Sequence, residues 1–341
     1  MRILVLQKKT ESAVTYYRTN VPFAELGRSH NHDVDFMLPK DVTNDSLHKY
    51  DVVVFHRPEL DIEMRILWLC HVAGIKIWVD IDDLLWKIPT SNPASVLFTP
   101  ESKTNLQRGF INADIVTCST KALQQQIYDE FGVEAHVLPN AYNDREPLSN
   151  NFNHKRDKAL ILYRGSNTHD GDVFIYRDAF KQYYNIDYNF MGLQPWYLFK
   201  RYGGHLDRLF LHGYKQSVLD YFAVIENMKP NFFIFPLEDN AFNQCKSNIA
   251  AIEATMAGSI IIAPSYMPEF AQIDGALLFD DLNQLNEILR TIDDDFARHE
   301  DRDEELTVYR TLFNRQREWM QRNARLSTVN EMRNQLLSIC V

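Results

Sequence analysis

The sequence has few cysteines, and none of them are paired. Four are present among 341 residues, and no two of them form a CxxC motif; they are Cys70, Cys118, Cys245 and Cys340. Disulfide frameworks and most zinc sites need more cysteines or closer spacing. The spacing therefore argues against both, and it fits a reducing compartment. We expect a cytoplasmic protein.

Positive charge and long apolar runs are also scarce. The formal net charge is -10 at pH 7 and the sequence pI is about 5.6. A broad nucleic-acid footprint uses clustered Lys and Arg, so this balance disfavours one, although local basic patches remain. No apolar stretch approaches the ~20 residues that span a bilayer, and the apolar run in MRILVLQKKT is too short for a signal peptide. We expect a soluble chain without a transmembrane segment.

The composition that is present is that of a globular α/β protein. Hydrophobic residues make up 45% of the chain and charged residues 24%, and the length predicts two domains. Short runs rich in Val, Ile and Leu alternate with segments of helical period, as in parallel sheets covered on both faces. The predicted strands are 2–6, 34–38, 52–56, 75–79, 115–117 and 135–138, then 159–163, 188–191, 209–212, 232–236, 259–263 and 276–279.

The helical segments and one polar stretch complete the predicted organisation. Helices are predicted at 14–26, 62–73, 121–131 and 248–256, and residues 140–158 are rich in Asn and charge, as expected of a linker. The prediction is two Rossmann-like doubly wound parallel-sheet domains facing a cleft. Their bounds are 1–148 for the N-terminal domain, 149–158 for the linker, 159–305 for the second domain and 306–341 for C-terminal helices. Ligands of such sheets bind beyond the carboxyl ends of the strands.

The segment from residue 235 to residue 264 carries the clearest chemical signal. A strand ends in it, a polar loop follows, and a helix is predicted to begin near Lys246 and Ser247 and to end at Gly258. A helix N-terminus next to a lysine suits a phosphate group, because free N–H groups and the helix dipole favour negative charge. Glu253 lies further along that helix, where its carboxylate can accept hydrogen bonds from a ribose diol.

This segment resembles a known family. The pattern N-x-x-K-S from Asn243 to Ser247, followed by a helix bearing Glu253 and then by IIIAP, resembles the donor site of GT-B glycosyltransferases of the GT4-like group (glycosyl transferases group 1). The resemblance implies that Lys246 and Ser247 contact the donor diphosphate and that Glu253 contacts the ribose. Many members carry another glutamate eight positions earlier, where this sequence has Cys245. Donor identity and stereochemistry therefore stay open, with Asp239 or Asn243 as substitutes.

Further segments fit the same family along nearly the whole chain. They are Y-Y-R at residues 16–18 with Pro22, H-R-P at 56–58, D-I-D-D at 80–83, V-T-C-S at 116–119, L-P-N at 138–140, and the turn LYRGSNTH at 162–169. Gly165 lets the backbone approach a phosphate, Ser166 can donate to it, and Arg164 can stabilise leaving-group charge. The acceptor-side candidates are Tyr17, Arg18, His56 and Arg57.

Three interpretations are open for the aspartates at residues 80, 82 and 83, which follow the fourth predicted strand. An Asp-x-Asp can hold a divalent metal, Asp82 or Asp83 can cap a short helix at 84–86, and one of them can act as base for the acceptor hydroxyl. His169 either faces the cleft or begins a helix with Asp170 and Asp172. The catalytic candidates are therefore Asp82, Asp83 and His169, and the predicted scheme needs no metal.

The predicted activity is transfer of a sugar from a nucleoside-diphosphate sugar to an acceptor hydroxyl, without a metal or another cofactor. The acceptor is a glycan, a small molecule or, as in compact bacteriophage enzymes, a hydroxymethylated pyrimidine of DNA. Two alternatives use the same scaffold: a nucleotide-sugar 2-epimerase, and an inactive protein that binds a nucleotide sugar. An aromatic residue near Tyr214 is a candidate for stacking on the base.

Overall fold

The fold consists of two parallel sheets in series, as predicted. The computed structural model describes residues 1–8, 12–154, 157–181, 183–201, 209–213, 217–297 and 302–339. Within those residues there are two six-stranded sheets, ordered β2-β1-β3-β4-β5-β6 and β12-β11-β10-β7-β8-β9, and every pairing is parallel. The predicted fold class is confirmed. Tyr214 and Cys340 lie outside the described residues.

The first sheet forms because its strands are apolar on both faces. All five residues of β3 are buried, and β1 pairs with β2 on one side and β3 on the other. Its strands are β1 Arg2–Leu6, β2 Asp33–Met37, β3 Val52–His56, β4 Lys76–Ile81, β5 Ile115–Cys118 and β6 His136–Val137. Its helices are α1 Ala13–Thr15, α2 Val21–His30, α3 Asn44–Leu47, α4 Asp61–Ala73, α5 Pro100–Ile111 and α6 Lys121–Phe131, with 3-10 turns at Pro39–Asp41, Leu85–Lys87 and Pro93–Val96.

The second sheet repeats this pattern around β7, whose first five residues are buried. Its strands are β7 Ala159–Gly165, β8 Ile186–Gly192, β9 Leu209–His212, β10 Phe232–Ile234, β11 Ile260–Pro264 and β12 Leu277–Phe279. Its helices are α7 Asp170–Ile175, α8 Trp196–Arg201, α9 Val218–Met228, α10 Ala241–Gln244, α11 Ile249–Met256, α12 Pro268–Ala271, α13 Leu282–Ala297 and α14 Arg302–Asn323, with a 3-10 turn at Asn167–His169.

The helix predicted at 14–26 is longer and is interrupted. Between α1 and α2 the chain makes a π-helical turn, Tyr16–Asn20, and regular helix continues to His30. Three consecutive side chains of that turn each meet a carboxylate: Tyr16 donates to Glu146, Tyr17 to Glu253 and Arg18 to Asp80. Such π turns occur often at functional sites. No sequence pattern indicated this one.

The polar segment between the sheets is more firmly packed than a linker reading suggests. Leu148 and Phe152 are buried in the second domain's core, and Phe152 stacks against Tyr309. Tyr142 forms a parallel backbone bridge with Arg325. The segment that leaves the first domain therefore lies beside the segment that returns to it before the last helix. The last helix, α15 Leu326–Ser338, packs on α2 in the first domain, whereas α14 packs on α11. The domain bounds given above stay a prediction.

Gly275 is a position where the fold requires glycine. Its φ is +88°, and an added Cβ would lie 2.1 Å from the carbonyl oxygen of Leu312 in α14. Gly74 is a matched control, since its φ is +70° and an added Cβ would meet nothing within 4 Å. We expect Gly275→Ala to lower the free energy of unfolding by about 1–3 kcal/mol more than Gly74→Ala, because it adds a steric clash to a similar backbone strain. Urea denaturation of both variants measures this difference, and equal losses would contradict it.

Candidate functional site

A cleft opens where the carboxyl ends of the two sheets face each other. It contains a cavity of about 220 Å³. Ala13 contributes from the first domain, and the second domain supplies the rest of the lining from the ends of β7 and β8 and from α9 and α11: Arg164, Gly165, Ser166, His169, Met191, Gly192, Ser217, Val218, Tyr221 and Glu253. Of the predicted donor residues, the structure brings Arg164, Gly165, Ser166 and Glu253 together here, with His169.

Glu253 is the hub of this cavity. It lies on α11 with 4% of its surface exposed, and it accepts hydrogen bonds from Tyr17 (3.2 Å) and Tyr221 (2.7 Å). Nε of Arg164 lies 2.7 Å from Oε2 of Glu253, an ion pair that falls short of hydrogen-bond geometry. Burial, followed by the charge of Glu253, holds the pKa of Tyr221 well above its usual value, so both tyrosines are hydrogen-bond donors. Tyr221 was not predicted, and Tyr17 was predicted on the acceptor side.

The turn after β7 is held by local contacts. Ser166 caps the 3-10 turn by accepting from the N–H of Thr168. Gly165 has no room for a side chain, because an added Cβ would lie 2.5 Å from the hydroxyl of Tyr163. Arg164 lies over the ring of Phe235, 5.6 Å from its centre. The expected approach of Gly165 and Ser166 to a phosphate stays a prediction.

The lysine-serine pair lies before its helix and not at its first turn. α11 begins at Ile249, with Asn248 as the N-cap residue. Nζ of Lys246 lies 4.3 Å from the centre of the Phe242 ring and 3.5 Å from a carboxylate oxygen of Asp83 in the first domain. Ser247 accepts a 2.7 Å hydrogen bond from Asn140, also from the first domain. The predicted start of this helix was therefore a few residues too early.

Asn243 lies behind the cavity. Its side-chain amide donates to Asp172 (2.7 Å) and to the carbonyl of Glu238 (3.0 Å), and 1% of its surface is exposed. This geometry lets the amide nitrogen of Asn243 fix Asp172, whereas its side-chain oxygen is buried without a hydrogen-bond partner. A contact between Asn243 and the sugar nucleotide stays a prediction. Cys245, at the place of the family's other glutamate, is 2% exposed and belongs to the apolar cluster of the first domain.

The first domain contributes a cluster of paired charges at the ends of β3 and β4. Asp82 accepts from His56 (3.0 Å) and from Arg57, whose other nitrogen donates to Asp83 (2.7 Å). Burial opposes ionisation of Asp82, but the charges of Arg57 and His56 outweigh it and hold the pKa of this carboxyl well below its usual value. Neither aspartate side chain caps the turn at Leu85–Lys87, contrary to the capping interpretation.

Arg18 lies in the core of the first domain and not on the acceptor side of the cleft. Its exposure is 1%, and its guanidinium donates to both oxygens of Asp80, to the carbonyl of Leu138 (2.7 Å) and to Asn140 (3.1 Å). These partners leave no face of the fork for a ligand. Asp80 is occupied in turn by Arg18 and Thr117, so the first aspartate of the D-x-D-D stretch is structural.

Within the described ranges, no group of three or more His, Cys, Asp or Glu side chains could hold a metal ion. The aspartates that suggested one interpretation of the sequence are neutralised by arginines. Metal independence stays a prediction.

Among the described helices, none combines the length and hydropathy needed to cross a bilayer.

The comparisons with known proteins identify the fold. No family model matches the sequence, and no curated protein matches it significantly. Solved structures do match over almost their whole length. Sucrose-phosphate synthase from Thermosynechococcus elongatus has a TM-score of 0.69 at 14% identity, covering 99% of this chain and 98% of that one. Anabaena HepE in complex with UDP has a TM-score of 0.66 at 14% identity, covering 99% and 100%.

A third similar structure, the UDP-forming α,α-trehalose-phosphate synthase from Burkholderia vietnamiensis, has a TM-score of 0.64 at 11% identity and covers 100% of this chain and 97% of that one. All three similarities cover at least 99% of this chain, and so they include its arrangement of two parallel sheets in series. The whole described chain, from β1 to α15, follows that arrangement. The chain therefore has the GT-B fold of these glycosyltransferases.

Proposed function

We propose that the chain is a glycosyltransferase that takes its sugar from a nucleoside-diphosphate sugar. The observation that carries this proposal is the lining of the cavity at the carboxyl end of the second sheet. It combines a buried carboxylate, Glu253, with the cation Arg164, and Lys246 lies nearby at the cleft. A nucleoside diphosphate requires a carboxylate that accepts hydrogen bonds from its ribose hydroxyls. It also requires cations that contact its phosphates.

The donor nucleotide binds to the second domain in this proposal. Glu253 gives up its hydrogen bonds from Tyr17 and Tyr221 and accepts hydrogen bonds from the ribose hydroxyls instead. Lys246 and Arg164 contact the diphosphate. We assign uracil to the base, because one of the similar structures is a complex with UDP and another is a UDP-forming enzyme. The acceptor enters from the first domain, where His56 and Arg57 pair with Asp82 and Asp83 at the ends of β3 and β4. The charge cluster of Asp82 and Asp83 positions these groups, with Asp83 as the candidate base.

A thermal-shift comparison of UDP, GDP, ADP and CMP, with Mg²⁺ and with EDTA, tests the donor assignment. We expect UDP to raise the melting temperature in both conditions, since a ligand at 100 times its Kd adds about 2.7 kcal/mol to the free energy of unfolding. UMP at the same concentration is the control for the diphosphate. If none of the nucleoside diphosphates raises the melting temperature, the donor-site assignment is contradicted.

Product analysis then separates transfer from the alternatives. Incubation of a UDP-sugar with an acceptor mixture is expected to yield UDP and a glycoside. Conversion of the nucleotide sugar without an acceptor would identify an epimerase instead. Donor binding without any turnover would identify a binding protein, an outcome that Cys245 favours because the buried thiol replaces a carboxylate.

A further inference from the structure

His169 and Asp172 form a hydrogen-bonded pair at the wall of the donor cavity. His169 ends the 3-10 turn after β7 and lines the cavity with Arg164 and Ser166. Its Nδ1 lies 2.8 Å from Oδ2 of Asp172. The other carboxylate oxygen of Asp172 accepts from the backbone N–H of Glu238 (3.0 Å) and from the amide of Asn243. The carboxylate is therefore fixed in place by three donors.

This pairing determines which nitrogen of His169 carries the proton. A carboxylate that accepts from two other donors accepts from the imidazole as well, so the proton of the neutral ring lies on Nδ1. Nε2 then has a lone pair and has no hydrogen-bond partner among the described residues. Burial lowers the pKa of His169 below its usual value, and the nearby charge of Lys246 acts in the same direction. We therefore expect a neutral ring at pH 7 in the free protein.

A neutral ring in this position conflicts with a bound diphosphate. The lone pair on Nε2 would face phosphate oxygens, which are acceptors too, and the bond to Asp172 prevents the ring from turning its N–H toward them. Protonation resolves the conflict, because an imidazolium donates from both nitrogens. Asp172 on one side and the phosphate on the other then both raise the pKa of the ring.

We propose that His169 binds the terminal phosphate of the donor as an imidazolium and takes up a proton from solution when the nucleotide binds. The inference rests on the proposed function, and it gives Asp172 the part of a positioning residue. It also gives His169, a catalytic candidate from the sequence, a part in stabilising the leaving group. Protonated His169 donates to the phosphate oxygen that gains negative charge as the bond to the sugar breaks.

Charged groups from several elements face this ring. Asp172 lies on α7, Lys246 comes before α11, and Asp83 reaches across from the end of β4 in the first domain. Arg164, at the end of β7, lines the same cavity together with its ion-pair partner Glu253. Asp172 and Asp83 favour the imidazolium, and Lys246 disfavours it until a diphosphate neutralises its charge. The anion therefore decides the protonation state.

Calorimetric titration with UDP tests the proposal. Titration at pH 7.5 in HEPES and in Tris, whose ionisation enthalpies differ and neither of which is a phosphate, is expected to show uptake of up to one proton per UDP. Between the pKa of the free ring and that of the complex, the Kd for UDP is expected to weaken by up to about tenfold per pH unit, and above the pKa of the complex it is expected to level off. Measurements between pH 7 and pH 9 stay above the second ionisation of the terminal phosphate, near pH 6.

Two variants serve as matched comparisons. His169→Gln is expected to bind UDP about tenfold more weakly at pH 7.5, without proton uptake. His169→Lys, which carries its charge throughout this range, is expected to retain affinity with a flat pH dependence. Asp172→Asn should reduce proton uptake while UDP still binds; if it fails to fold, the His169 variants still decide the matter.

The outcomes separate this inference from the proposed function. UDP binding without proton uptake, with the same pH dependence in the parent and in His169→Gln, would overturn the inference and leave the donor site intact. A turnover rate that falls at low pH, with UDP affinity unchanged, would overturn it in favour of a base at His169. If none of the nucleotides binds, the proposed function itself is contradicted.

Discussion

Lys246→Ala is expected to lower kcat/KM for the donor by about 100- to 1,000-fold, the cost of removing one preorganised group that stabilises developing charge. Lys246 is 13% exposed in its side chain, fixed between the Phe242 ring and Asp83, and so is aimed at the cleft before any ligand arrives. The variant also leaves Asp83 without a cross-domain partner. Steady-state kinetics with the UDP-sugar measures the effect, and UDP affinity from calorimetry separates binding from chemistry.

Lys40→Ala is the control for this variant, because Lys40 is an exposed lysine of the first domain. It is expected to leave kcat/KM unchanged. Lys246→Arg should recover part of the activity, since it keeps the charge and alters its geometry. Full activity in Lys246→Ala would mean that the donor segment has been assigned wrongly.

Arg18→Ala is expected to cost about 3–5 kcal/mol of folding free energy, because it leaves the carboxylate of Asp80 buried without its main partner. The side chains of Arg18 and Asp80 are 1% and 5% exposed. The carbonyl of Leu138 and the side chain of Asn140 lose their donor as well. Urea denaturation followed by circular dichroism gives the free energy of unfolding.

Arg28→Ala provides the comparison, because Arg28 pairs with Glu25 on the surface of α2 and its side chain is 60% exposed. Exposed pairs contribute about 0–1 kcal/mol, so this variant should remain close to the parent. Equal losses in the two variants would show that burial of the Arg18 pair is unimportant. A change in donor affinity without loss of stability in Arg18→Ala would return Arg18 to the site.

The sheets were predictable because their strands are apolar on both faces. Runs such as Val52–His56 and residues 260–263 have no polar alternation, which is typical of parallel strands covered by helices. The bounds of β6 were predicted less accurately, because a strand was predicted at residues 135–138 and only His136–Val137 pair in the sheet. Local pattern determined the elements, and the parallel order followed from their alternation with helices.

The site was predictable only in part. Glu253 could be found because it lies on the helix that follows Lys246 and Ser247, where a carboxylate can reach a ribose diol, and because this segment resembles a known donor site. Its hydrogen-bond partners could not be found, because Tyr17 is 236 residues away in sequence and reaches Glu253 through the π turn. Arg18 and Asp80 likewise carry no local signal that they pair.

The donor segment of the free protein is already engaged at three points with the first domain: Lys246 with Asp83, Ser247 with Asn140, and Glu253 with Tyr17. A ligand held by this segment therefore exchanges contacts and does not simply add them. An inorganic phosphate near Lys246 would displace one contact and replace no more than that one. A nucleoside diphosphate that reaches all three groups replaces every contact it breaks. We therefore expect the free protein to bind inorganic phosphate more weakly than a nucleoside diphosphate, because phosphate can replace only one of these contacts.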